Sequence, residues 1–151
     1  MVHLRSIFQP FALAALVVMT ALAASGSGVA AGEKLAIKGY DPVAYFTVSH
    51  PVLGKPELAY SWNEAQWQFS TPANRDAFAA DPDRYAPQYA GYCAFGMAHG
   101  VKVEVDPQAW AIVDGKLYLN SSIKALDDWR KDQVAFIEKA DDNWRGLKAK
   151  N

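Results

Sequence analysis

The sequence is poor in the residues that usually announce a function. A single cysteine, Cys93, occurs in 151 residues, so no disulfide can form within the chain. There is no C-x-x-C pair, no glycine-rich phosphate loop, no H-E-x-x-H and no G-x-S-x-G, which removes the commonest signatures of thiol–disulfide exchange, nucleotide binding, zinc proteolysis and serine hydrolysis. The formal net charge is −1, with both signs interspersed. That excludes the basic footprint of a nucleic-acid binder. We read no repeat, heptad pattern or long low-complexity segment beyond residue 31.

Charge is also missing from the N-terminus. Residues 1–31 hold one basic residue, Arg5, and no acid. A short n-region, Met1–Arg5, precedes an apolar run, Phe11–Met19, that continues through Thr20 into Ala21–Ala24 and gives way to the small residues Ser25–Ala31. This is the three-part pattern of a cleavable secretory signal. The run falls short of the roughly 20 apolar residues needed to cross a bilayer. Small-x-small patterns allow cleavage after Ala23, Ala30 or Ala31, and no cysteine follows to make a lipoprotein. The expected product is exported, periplasmic or secreted, and free of the membrane. Residues 32–151 are then one ordinary domain. Loss of Arg5 alone takes its formal charge from −1 to −2. In a compartment that permits disulfides, a lone thiol is buried, paired with another chain, or functional.

Aromatics supply the core that cross-links do not: Trp62, Trp67, Trp110, Trp129 and Trp144 all follow the leader. The turn-prone Gly39-Tyr40-Asp41-Pro42 leads to a strand expected over Tyr45–Val48, and a loop is expected over Ser49–Pro56. Alternation predicts strands at Leu58–Trp62 and around Trp67 and Phe69, with a turn at Asn63-Glu64. Thr71 and Pro72 are a cap and first position for a helix over Pro72–Ala80, and Asp81-Pro82 repeats the signal for a short helix ending near Tyr85. Pro87–Gly100 carries no clear pattern. Asp114-Gly115 between apolar runs predicts a tight hairpin joining Trp110–Val113 to Lys116–Leu119. A single amphipathic helix is expected over Ser122–Ala140. The sum is α+β: one small, mostly antiparallel sheet packed against several helices.

The residues with the richest chemistry are close together. Cys93, Met97 and His99 offer thiolate, thioether and imidazole, a donor set that suits a soft metal such as copper. On a helix, positions 93 and 97 share a face and 99 lies about 120° away. A three-ligand site therefore needs the helix to end before His99, where Gly100 favours an ending. Two other readings stand beside it. Cys93 and Met97 are also good core fillers, and Cys93 activated by His99 is the outline of a thiol enzyme, with Glu104 and Asp106 nearby in sequence. The pairs Asp127-Asp128 and Asp141-Asp142 suit solvated helix faces. The tryptophans suit a core or a ligand pocket, and His50 suits an exposed loop.

Taken in order, Lys38–Phe46, Trp67–Ser70, Asn74–Phe78, Pro82–Tyr85, Tyr89–Ala94 and Asp114–Asn120 resemble exported members of the YHS domain family over nearly all of the chain after the leader. Ala90 stands where that pattern has glycine. The resemblance implies a binding module, since shorter YHS modules occur in metal-handling proteins such as heavy-metal transport ATPases. Those modules read Asp-Pro-Val-Cys-Gly-Met. Here the run is Asp41-Pro42-Val43-Ala44-Tyr45-Phe46, so Ala44 and Phe46 replace both sulfur residues. The further cysteine that often follows the motif serine is also absent after Ser70. The family's metal position therefore does not carry over.

The reading taken forward is an exported, non-catalytic YHS-type binding module, with a soft metal at Cys93, Met97 and His99. The alternative is a metal-free domain that binds a small molecule or a protein, and a thiol enzyme using Cys93 ranks third. Secretion from a bacterial host with the leader intact should yield a product beginning at residue 24, 31 or 32, read by intact mass. A full-length product held in the membrane would contradict the leader.

Overall fold

The computed structural model describes residues 33–149; the leader expected at 1–31 lies outside them. The chain opens with β1 (Lys34–Leu35) and a left-handed turn, Ala36–Gly39, where Ile37, Lys38 and Gly39 have φ of 39°, 55° and 80°. Next comes α1 (Ala44–Thr47), which replaces the strand expected at Tyr45–Val48. The cause is local. Asp41 Oδ1 accepts the N–H groups of Val43 at 2.9 Å and Ala44 at 3.3 Å, and Thr47 Oγ1 donates to the Val43 carbonyl. A side-chain acceptor that satisfies the first N–H groups of a turn overrides the strand preference of Tyr, Phe and Val.

Strands β2 (Lys55–Trp62) and β3 (Ala65–Phe69) pair antiparallel across the Asn63-Glu64 turn, and β1 adds in parallel beside β3. Thr71 caps α2 (Pro72–Ala80) by accepting the Asn74 N–H, and α3 (Pro82–Tyr85) follows as expected. The unpatterned stretch holds a second left-handed turn, Gln88–Gly91, and α4 (Ala94–Ala98). Asp114-Gly115 joins β4 (Asp106–Val113) to β5 (Lys116–Asn120). The helix expected over Ser122–Ala140 is two helices, α5 (Ile123–Arg130) and α6 (Gln133–Lys148). Asp132, at φ −147° and ψ 59°, breaks them apart. The fold is α+β, but the sheet is split into a three-stranded and a two-stranded piece.

The chain folds as two copies of one unit, which corrects the reading of no repeat. Every described residue with positive φ has a counterpart about 51 residues on. Ile37-Lys38-Gly39 matches Tyr89-Ala90-Gly91, Ser49 matches Gly100, and Asn63-Glu64 matches Asp114-Gly115. The ladders agree as well. The irregularity between Lys55 and Ala59 in β2 recurs between Asp106 and Trp110 in β4. The bond from Asp41 N–H to the Val52 carbonyl recurs from Cys93 to Val103. Capping residues match too: Thr71 with Ser122, and Asp81 with Asp132. Trp67 packs on Phe78 at 5.1 Å as Tyr118 packs on Trp129 at 5.4 Å. Few of these pairs are identical, because a turn, a cap or a core position accepts several residue types. Hence the period is hidden in the letters.

The copies differ in how their sheets are covered. In β3 one face, Trp67 and Phe69, packs on Phe78 of α2, while Gln68 on the other lies under Gly39 and Gly54. In β5 the matching face, Tyr118, packs on Trp129 of α5, but the opposite face carries Leu117 and Leu119 into the core built by Tyr45, Trp67, Phe69 and Phe78. The second hairpin is thus buried on both sides. Tyr45 seals the join, edge-on to Trp110 at 5.3 Å with its hydroxyl donating to the Pro107 carbonyl.

Equivalent turn positions give a direct check. Glu64, at φ 61°, stands where the second copy has Gly115. Glu64→Gly should stabilise the domain by about 0.5–1 kcal/mol, because the left-handed conformation costs a residue with a Cβ. Gly115→Ala, whose added Cβ would meet no atom within 4 Å, should cost about 1 kcal/mol through the backbone alone. Urea midpoints read both effects, and equal midpoints for all three proteins would contradict the assignment.

Candidate functional site

Asp41 and Cys93 hold the same place in the two copies. Asp41 is fully buried. Its Oδ1 fixes the start of α1, and its Oδ2 accepts the Ser70 N–H at 2.8 Å, the Ser70 hydroxyl at 2.6 Å and the Asn74 amide at 2.7 Å. The carboxylate therefore ties the left-handed turn to the end of the hairpin. Cys93 performs the same task with sulfur. Its Sγ accepts the Gly96 N–H at the start of α4, at 3.3 Å, and the Ser121 N–H just after β5, at 3.2 Å. Asn120 Oδ1 lies 3.6 Å from the sulfur, on the side to which the thiol donates, and also accepts the Phe95 N–H. The Asn120 Nδ2 is buried without a partner among the described residues.

The three sulfur and imidazole residues occupy three environments. Cys93 is 1% exposed and packs in the core shared by the two copies. Met97 is fully buried in a second core beneath α5 and α6, with Tyr118, Leu126 and Trp129. His99 caps α4 as the spacing required, but its ring is exposed, edge-on to Phe95 at 4.8 Å. Among the described residues no three His, Cys, Asp or Glu side chains gather to hold an ion. The sulfur that a thiol enzyme would use is sealed, and its hydrogen-bond partners are Gly96, Asn120 and Ser121. Burial also removes Cys93 as a link between chains.

The acidic pairs are mostly surface, as expected. Asp128 bonds Lys124 and Lys131, each at 2.6 Å, Asp142 pairs with Arg145, and Asp127 is exposed. Asp141 is the exception. It accepts the Tyr89 hydroxyl at 2.9 Å, and burial, followed by that carboxylate, holds the phenol well above its ordinary range. His50 is exposed, as expected.

An accessible hollow lies elsewhere, at the seam between the copies. A cavity of about 340 Å³ is walled by Lys34, the Asn63-Glu64 turn, Tyr92, Lys102, Trp144 and Lys148. A smaller one of about 160 Å³ shares Asn63, Ala90, Trp144 and Lys148 with it. The seam is hollow because the copies end differently. Tyr85, the last residue of α3, matches Phe136, but α6 runs on to Lys148. Asn143 fastens this extension by donating to the Met97 and Ala98 carbonyls at 2.9 and 3.2 Å, and Ala140 is buried beneath it. Trp144 and Lys148 are thereby laid across the tip of the first hairpin. Sequence reading treated the tryptophans as core or pocket without separating them; the missing signal was the repeat, beyond which Trp144 lies. A larger groove of about 540 Å³ runs along β4 and α5, but its cation, Arg130, already faces Asp127 at 3.6 Å.

A scan against protein-family models matches none of them, and searches of curated proteins and of solved structures return no match.

The role given to Cys93 has a measurable cost. Cys93→Ala should destabilise the domain by about 2 kcal/mol, because it leaves one buried and one partly buried N–H group without an acceptor. In the wild type the thiol should react with a maleimide only above the urea midpoint. Rapid labelling of the folded protein would contradict both statements.

Proposed function

We propose that this chain is an exported, non-catalytic binding module of the YHS type that takes up a small molecule, without a resident metal, in the hollow between its two copies. The observation that carries this is where the open space lies. The cavity bounded by Tyr92, Lys102 and Trp144 is accessible and polar on one side, whereas Cys93 and Met97 are sealed in separate cores. Binding sites are concave surfaces of a few hundred Å³ with a few polar groups on an apolar wall. Support for the YHS reading comes from the residues that carry the resemblance. Asp41, Ser70 and Asn74 make one hydrogen-bonded cluster, and Trp67, Phe69 and Phe78 make the core beneath it. The stability of those positions explains why a motif persists where the metal-binding sulfurs do not.

Two titrations separate this from the metal reading. Anaerobic cuprous titration should find the wild type and the Cys93→Ala, Met97→Ala and His99→Ala variants binding equally weakly. An NMR screen of small aromatic and polar compounds should perturb the Trp144 indole and Ala90, with the effect lost in Trp144→Ala. Stoichiometric cuprous binding that needs Cys93 and Met97 would replace this proposal with a soft-metal module.

A further inference from the structure

Which molecules enter the hollow follows from its charge. Lys34, Lys102 and Lys148 border it, against one carboxylate on its wall, Glu64. Lys34 is partly spoken for: its ammonium bonds Glu104 at 2.6 Å and lies 4.6 Å from the centre of the Tyr92 ring. Lys102 and Lys148 are different. Among the described residues neither has a carboxylate within salt-bridge distance. Their partners are ring faces. Lys102 lies 5.6 Å from the Tyr92 centroid and 5.7 Å from that of Trp144, and Lys148 lies 5.4 Å from Trp144.

Cations held over aromatic faces keep most of their capacity to bind an anion, because the ring quadrupole attracts them without neutralising them. Placing three ammonium groups around two rings also builds mutual repulsion that an anion relieves. Tyr92 and Trp144 contribute flat apolar surface beside those charges, and the volume suits a one- or two-ring compound.

Asymmetry between the copies points the same way. The positions matching Tyr92 and Lys102 in the first copy are Tyr40 and Pro51, and nothing there matches Trp144 or Lys148. The cations and the second ring occur only where the α6 extension closes the hollow, and the fold of the repeated unit does not require them.

From this, resting on the binding reading above, we infer that the hollow is a receptor site for a planar organic anion, an aromatic carboxylate, with the carboxylate at Lys102 and Lys148 and the ring system against Trp144 and Tyr92. The test uses the whole chain with 5-fluorotryptophan, the Trp144 fluorine signal being assigned with Trp144→Phe. Three probes of one shape are titrated: 1-naphthoate, 1-naphthalenemethanol and 1-naphthylmethylamine. Naphthoate should shift the Trp144 signal saturably, and both the alcohol and the Lys102→Gln variant should bind about tenfold more weakly, the loss expected for one charged hydrogen bond. Added salt should weaken naphthoate alone, and Lys116→Gln, on the remote hairpin turn, should change nothing. If the alcohol or the amine binds as well as naphthoate, or Lys102→Gln has no effect, the anion assignment fails while the hollow remains a binding site. If no probe moves Trp144, the hollow itself is not the site.

Discussion

The carboxylate of Asp41 sits where three stretches of backbone meet without a regular ladder to join them: the left-handed turn at Gly39, the first residues of α1, and the corner between β3 and α2. The turn supplies the residue that carries the acceptor, and the other two bring N–H groups that helix and sheet bonding leave over, buried at α1 and partly buried at the corner. Unmet N–H groups in such a place cost about 1–3 kcal/mol apiece, so the corner closes only around an acceptor with several lone pairs. Val43, Ala44, Ser70 and Asn74 all donate to this one residue. The hairpin is held against its turn by that convergence, and the aromatic core of Trp67, Phe69 and Phe78 lies directly below.

The second copy solves the same problem with weaker means. Asn74 is matched by Ala125, so one donor is gone, and Phe69 is matched by Asn120, whose Oδ1 faces the acceptor. A carboxylate there would have fewer donors and an opposed carbonyl oxygen, and its burial would be uncompensated. A thiol accepts the two N–H groups that remain and donates to the oxygen. This accounts for the lone cysteine more economically than a ligand or a nucleophile does, and burial shields the thiol from oxidants.

Much of the fold was legible wherever one residue settles a conformation. Thr71 as a cap, Asp114-Gly115 as a tight turn and the alternation of Tyr60, Trp62, Trp67 and Phe69 act over a few positions, and each led to the right element. The failures share a cause at longer range. Tyr45–Phe46 became helical because Asp41 caps them from outside the segment. The C-terminal helix broke because Asp132 takes a non-helical conformation in a sequence whose apolar periodicity runs through it. The duplication escaped because it is conserved in φ angles and register rather than in residues. Cys93, Met97 and His99 read as a cluster because they are neighbours in sequence, whereas Cys93 and Met97 pack in two different cores and His99 is exposed.

Duplication also bears on where a ligand site can arise. Positions that both copies share, such as the acceptors, caps and turns, are tied to folding, and changing one loosens the unit that contains it. Freedom lies in what the copies do not share. Leu117 and Leu119 against Gln66 and Gln68 turn the second hairpin into the centre of the molecule and leave the first at its margin, with the Asn63-Glu64 tip exposed. The continuation of α6 past Phe136 then crosses to that tip, anchored by Ala140 and Asn143, and encloses a space that neither copy encloses alone. Lysines and rings on that wall can change without disturbing the acceptors that hold the fold, so the chemistry of the hollow is free to vary independently of stability.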